Sequence, residues 1–250
     1  MNDLALVPSA LAESAHPSRT KRYQFFSTRD IVMRLQDRGF TVAHSSESGV
    51  RNPDFNGYQR HQVFLDFPKG DGLHSPTQKM QLRLVNSHCG TAPLRLLLAV
   101  YVMVCSNGLI APRDHHDLLR YRHVRNRFDP EFVHDKAIAY ALDTKTQIAH
   151  MEQRELSPDE QLKFAHYAIG LRWPDGNHPP FDPRKMLHAR FDQQNHPDLW
   201  SVLNRVQDNV LNGFTYFNPE LKKDRLVRPL TSIPRDLNIN HRLWDYAVAG

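Results

Sequence analysis

The chain has 250 residues, 40% of them hydrophobic and 24% charged, with a formal net charge of +5 when its fifteen histidines are neutral. That length supports one sizeable core or two small domains, and that composition excludes a disordered chain. The positive balance points to an anionic partner, nucleic acid first, against the alternative of an ordinary solvated surface.

Residues 1–18 are rich in Ala, Ser and Pro and read as a flexible arm, with no basic segment followed by a long apolar run that would mark a secretory signal. Residues 19–250 read as a single α+β domain, with the proline-rich residues 174–183 as the one weak boundary. The two cysteines, Cys89 and Cys105, make no disulfide framework, so a reducing cytoplasm is the expected location. The most apolar stretch, residues 94–104, is too short to cross a bilayer as a helix.

In chain order, Tyr23, Phe25 and Phe26 predict a short strand. Thr28 is the expected cap of a helix carrying Ile31, Val32 and Leu35 on one face and closed by Gly39. Strands follow over residues 61–67 and 80–85, where Val63, Leu65 and Phe67, then Met80, Leu82 and Leu84, alternate with polar positions. Residues 94–104 read as a central strand or a buried helix, and Val100, Val102 and Val104 favour the strand. The expected architecture is an antiparallel β-sheet in the N-terminal half packed with helices, and a helical C-terminal half. There, Val133, Ala137, Ala141, Ile148 and Met151 keep a helical period. Ser157-Pro158-Asp159-Glu160 is a capping box. Leu199, Leu203, Val206 and Val210 mark a helix ended by Gly213, and a last short helix is expected over residues 240–248.

Chemistry-bearing residues fall into four groups. Asn86-Ser87-His88-Cys89-Gly90-Thr91 and Cys105-Ser106-Asn107-Gly108 are polar turns at strand ends, suited to gripping a ligand or simply to turning the chain. His88 next to Cys89 is weak grounds for a nucleophile, because neighbours on a strand face opposite ways. Asp114, His115, His116, Asp117 and His123 are metal-ligand types without a recognised spacing. The basic groups are the fuller signal. Arg19, Lys21 and Arg22 precede Tyr23, and Arg113, Arg120, Arg122, Arg125 and Arg127 interleave with Tyr121 and Phe128. Lys222, Lys223, Arg225, Arg228 and Arg235 follow Phe214, Tyr216 and Phe217. Cations neutralise phosphates and exposed aromatics stack on unpaired bases, a mixture suited to single-stranded nucleic acid. No P-loop, G-x-S-x-G, dinucleotide fingerprint or zinc-finger spacing occurs, so no cofactor is expected.

Several of these segments carry a family resemblance. Arg22-Tyr23 with Thr28 and residues 35–40, Leu84-Val85-Asn86-Ser87-His88 with Gly90, and Val104-Cys105-Ser106-Asn107-Gly108 resemble, in order, motifs of the prokaryotic family catalogued as domain of unknown function 932. So do Leu199-Trp200 with Asn204-Arg205-Val206-Gln207 and Asn209, and residues 235–240 with Leu243-Trp244. That family is also described as phage- or plasmid-like. Cys89 stands where the family usually has Asp, and Asp208 where it usually has Glu. The resemblance implies a mobile-element setting and names no catalytic residue. The leading expectation is single-stranded DNA binding in replication, recombination or transfer, with homo-oligomers possible. A protein that binds and inhibits a host factor is the alternative. A metal-dependent enzyme built on His88, His115, His116, His123 and Asp117 comes third.

Overall fold

Alternation of apolar side chains builds the N-terminal half into one antiparallel sheet. The computed structural model describes residues 6–70, 73, 78–102, 108–111, 119–124, 130–190 and 195–249. They divide into two compact units, one of Met1–Val100 with Pro112–Asp143, the other of Tyr101–Ala111 with Thr144–Gly250, where the sequence reading has a single domain from residue 19.

The sheet contains β1 (Thr41–Glu47), β2 (His61–Asp66), β3 (Gln78–Asn86), β4 (Leu94–Val102), β5 (Gly108–Ala111) and β6 (Leu119–Tyr121). Its order is β1-β2-β3-β4-β5, with β6 pairing β4. Val63 faces Leu84 and Leu65 faces Leu82 across the antiparallel β2–β3 ladder, and all four are fully buried. In β4, Leu94, Leu96 and Leu98 on one face and Leu97 and Ala99 on the other are equally buried. A strand covered on both sides needs a continuous apolar run, which is why its period is ambiguous in sequence.

Helix α1 (Thr28–Gln36) buries Ile31, Val32 and Leu35. Its cap is Ser27, whose hydroxyl accepts from the Asp30 amide at 3.1 Å, and not Thr28. Thr28 is fully buried and its hydroxyl is committed to the sheet, so the preceding serine takes the cap. Residues 23–26 form no strand. The described part of the expected flexible arm is docked. A 3-10 turn at Pro8–Leu11 buries Ser9 and Ala10, the Val7 amide donates to Ser45 Oγ at 2.9 Å, and the Ser9 amide to Glu47 Oε2 at 3.0 Å.

Helix α2 (Pro130–Gln153) crosses the division between the units. In the second unit, α3 (Pro158–Arg172), α4 (Leu199–Asn212) and α5 (Ile233–Ala249) pack on one another. The predicted capping box is present. Ser157 Oγ accepts from the Glu160 amide at 3.4 Å, and Glu160 Oε2 accepts from the Ser157 amide at 2.8 Å. The Ser157 hydroxyl, which donates to Glu160 Oε2 at 2.7 Å, and the Ser157 amide hold the Glu160 carboxyl below its ordinary pKa. Ser157→Ala is expected to lower stability by about 1 kcal/mol, read as a shifted urea midpoint at unchanged slope.

Two departures remain. The last helix begins at Ile233, earlier than expected. Between α4 and α5 lies an antiparallel hairpin, β7 (Phe214–Asn218) and β8 (Lys223–Val227), inside the half read as helical. No helix among the described residues is long and apolar enough to cross a membrane.

Candidate functional site

The Asn86-Ser87-His88 turn closes inward. Asn86, Ser87, His88, His61 and Thr28 are all 0% exposed. Asn86 Nδ2 donates to Phe26 O at 3.0 Å and to Thr28 Oγ1 at 2.9 Å. Thr28 Oγ1 lies 2.8 Å from His61 Nε2, and His61 Nδ1 lies 3.0 Å from Gln59 O. A carbonyl only accepts, so His61 carries its hydrogen on Nδ1. Its Nε2 then accepts the Thr28 hydroxyl, which in turn accepts from Asn86. The chain of donors has one consistent direction.

Ser87 pins the turn: its hydroxyl donates to Ala92 O at 3.0 Å and accepts from the Ala92 amide at 2.8 Å. Tyr58 O accepts from the amides of His88 at 2.9 Å and Cys89 at 3.0 Å. Tyr23 Oη donates to Ser87 O at 2.8 Å, and burial pushes that phenol's pKa upward.

Burial dominates the histidines. It pushes His61 down to about 4, while burial and the neighbouring His61 and His123 push His88 down to about 3. Both are neutral near pH 7. His88 Nε2 is 3.5 Å from Thr28 Oγ1, and His88 Nδ1 has no partner among the described residues. His123 stacks on Tyr23 with ring centres 4.5 Å apart, its Nδ1 2.9 Å from Gln24 O and its Nε2 3.1 Å from Ala92 O. The imidazoles of His61 and His123 are thus spent on structure. Among the described residues no group of three or more His, Cys, Asp or Glu is placed to hold a metal. His115, His116, Asp117 and Asn107 lie outside the described residues.

The exterior of this knot differs in character. The Gln24 amide donates to His123 O at 2.7 Å while His123 Nδ1 meets Gln24 O, clasping two segments 99 residues apart. The clasp sets the segment carrying exposed Arg19, Lys21 and Arg22 against the segment carrying exposed Arg120 and Arg122. Lys21, Arg22, Tyr23, Gln24 and Val124 line an open groove of about 750 Å³. Arg125 and Arg127 lie outside the described residues.

In the second unit every residue of α4 from Leu199 to Leu211 is buried, polar ones included. Asn204 Nδ2 donates to Trp200 O at 2.7 Å, and Gln207 Nε2 to Asn240 Oδ1 on α5 at 3.2 Å. Trp200 packs edge-on against Trp244. Asn209 Nδ2 donates to Met186 O at 3.2 Å and His188 O at 2.8 Å, tying a 3-10 turn at Pro183–Leu187 to the helix. Asp208, 3% exposed, is held by Arg190 Nε at 3.1 Å and Asn212 Nδ2 at 3.0 Å. Arg172 donates to the carbonyls of Val210 and Arg228, and burial brings its pKa down to about 10.

The family model described as "Domain of unknown function (DUF932)" matches residues 15–244. The chain belongs to the DUF932 family. Similar relatives are two proteins of Escherichia coli strain K12. UPF0380 protein YafZ is 26% identical over 251 residues, covering 98% of this chain and 88% of that protein. UPF0380 protein YfjQ is 26% identical over 246 residues, covering 96% and 86% respectively. No solved structure shows significant similarity to the chain.

In this DUF932 chain, then, the motif residues Asn86, Ser87, His88, Trp200, Asn204 and Gln207 are interior. The cations are exterior, but they do not form one group. In the hairpin, Thr215 opposes Leu226 and Phe217 opposes Asp224, so Phe217 and Leu226 share one face. Lys223 and Arg225 fall on the other, with buried Tyr216 and Asn218. Strand pairing sets Tyr216 directly opposite Arg225 on one face and leaves Phe217 with Leu226 on the other. Lys222 sits in the turn at φ 48°, and Arg228 is exposed beyond β8.

Sequence reasoning missed Lys185, His188 and Arg190, which form one side of a cleft of about 420 Å³ with Gly213, Phe214 and Leu226. The available signal was the aromatic run after Gly213, which reads as a strand once the glycine is taken as a stop.

Proposed function

We propose that this protein binds single-stranded nucleic acid, DNA in the first instance, through the groove beside the Gln24–His123 clasp. The observation that supports this reading is the open groove lined by Lys21, Arg22 and Tyr23, on a segment that also carries exposed Arg19 and is clasped to the segment carrying exposed Arg120 and Arg122. Cations fixed on a rigid backbone clasp neutralise successive phosphates and release counterions without reading bases. The clasp is anchored to the buried histidine and asparagine network, so the basic edge is preorganised. The phage- or plasmid-like character of the family supports a role in replication, recombination or transfer of mobile DNA.

The test is fluorescence anisotropy with labelled single-stranded and duplex DNA and RNA at two salt concentrations. Tight, salt-sensitive binding that prefers single strands is the expected result. Substituting Lys21, Arg22 and Arg122 together with alanine is expected to reduce the slope of log affinity against log salt by about two. An unchanged slope removes this groove from the reading. No binding at low salt removes nucleic acid altogether and directs the search to a host protein partner.

A further inference from the structure

The second unit holds a cleft that the groove above does not involve, and its walls have opposite chemistry. One side is apolar: Leu226, 63% exposed, shares a hairpin face with its partner Thr215, and Phe214 adds the start of the paired strand. The other carries the cations Lys185 and Arg190 with His188 between them, from the 3-10 turn and the residues after it. Between them lies the end of α4, with Asn212 and Gly213 on the floor. Gly213 has no side chain to fill the space.

The cationic wall is rigid. Asn209 ties the carbonyls of Met186 and His188 to α4, and Arg190 is fixed by Asp208 and by Gly213 O. Arg190 neutralises the Asp208 carboxylate at 3.1 Å, and Asn212 occupies its second oxygen. The neighbouring carboxylate of Asp182 is engaged by Arg184, 3.2 Å away. Arg184 and Lys185 both act on the single Asp182 carboxylate, so this side of the cleft keeps a surplus positive charge. A volume of about 420 Å³ suits one small ligand.

We propose that this cleft binds a nucleotide, with the base against Leu226 and the phosphate against Lys185. An apolar wall facing a cationic one selects a ligand that is planar and apolar at one end and anionic at the other. Inorganic phosphate gains only half of these contacts, and a nucleoside only the other half. The nucleotide comes from either of two sources, free in solution or as one residue of a strand.

The test uses calorimetry on the full chain with adenosine 5′-monophosphate, adenosine, inorganic phosphate and an oligothymidylate. The monophosphate is expected to bind more tightly than adenosine or phosphate. Lys185→Ala is expected to weaken it about tenfold and leave adenosine unchanged. Leu226→Ser, at an exposed strand position, is expected to weaken monophosphate and adenosine and leave phosphate unchanged. The Lys21, Arg22 and Arg122 triple variant is expected to bind the monophosphate normally, which separates this cleft from the groove of the first unit. Displacement of the monophosphate by oligothymidylate identifies a residue of a strand as the occupant, and lack of displacement identifies the free nucleotide. No monophosphate binding at millimolar concentration overturns the proposal. So does binding that both variants leave unchanged.

Discussion

Gly213→Ala is expected to destabilise the second unit by about 3 to 5 kcal/mol. Gly213 has φ 71° and ψ −175°, a region that essentially only glycine occupies. A Cβ there would lie 1.8 Å from Val227 O and 2.7 Å from Val227 C. Those atoms are backbone, fixed by the Phe214–Val227 pair of the hairpin, so no side chain can swing aside. The hairpin would have to leave the end of α4, and the cleft wall formed by Phe214 and Leu226 would leave with it. Gly170→Ala supplies the contrast. Gly170 lies exposed within α3 with nothing within 4 Å of its Cβ position, so alanine there is expected to stabilise by about 0.5 to 1 kcal/mol. Urea denaturation of both variants checks the pair. A Gly213→Ala midpoint close to that of the parent would show that the contact between hairpin and helix is not rigid.

Acid is expected to unfold the first unit well above the pH at which carboxylates protonate. His61 and His88 have folded pKa values of about 4 and about 3, against 6.5 in an unfolded chain. The folded state therefore binds fewer protons than the unfolded one as pH falls. Their contribution is complete above pH 6.5 and is lost as pH drops toward 4 and then 3. His44 and His123 are also lowered, and act in the same direction. Between pH 7 and pH 5, His61 and His88 together are expected to cost roughly 4 kcal/mol. Urea midpoints at pH 7, 6 and 5 check this, and His61→Gln is expected to flatten the dependence by about half. Equal midpoints at pH 7 and pH 5 would mean that the histidines of the knot are not held neutral.

Local chemistry made much of the fold legible. Alternation in residues 61–67 and 80–85 marks strands because a half-buried sheet imposes a period of two. Ser157-Pro158-Asp159-Glu160 marks a helix start because the orphan amides of a first turn need those acceptors. The order of the motifs was enough to place the chain in its family. The Ser27 cap was not legible, because Thr28 is drawn away by a histidine 33 residues distant. The hairpin after Gly213 was obscured because its cations and aromatics were grouped by composition, whereas pairing with a second strand divides the aromatics between two faces.

For the site, the amino-acid sequence by itself determined which side chains were available: the basic clusters, the Asn-Ser-His turn and the Asn- and Gln-bearing helix. Only the tertiary structure decided which of them face solvent. Asn86, Ser87 and His88 look like ligand-gripping residues until residues 23–28 close over them. Asn204 and Gln207 look like a polar face until every residue around them is buried. The segment of Lys21 and Arg22 meets the segment of Arg122 only because Gln24 and His123 clasp across 99 residues. A polar side chain has the same local pattern whether it binds water, a ligand or a distant backbone group. That choice belongs to long-range packing, which no short window of sequence contains.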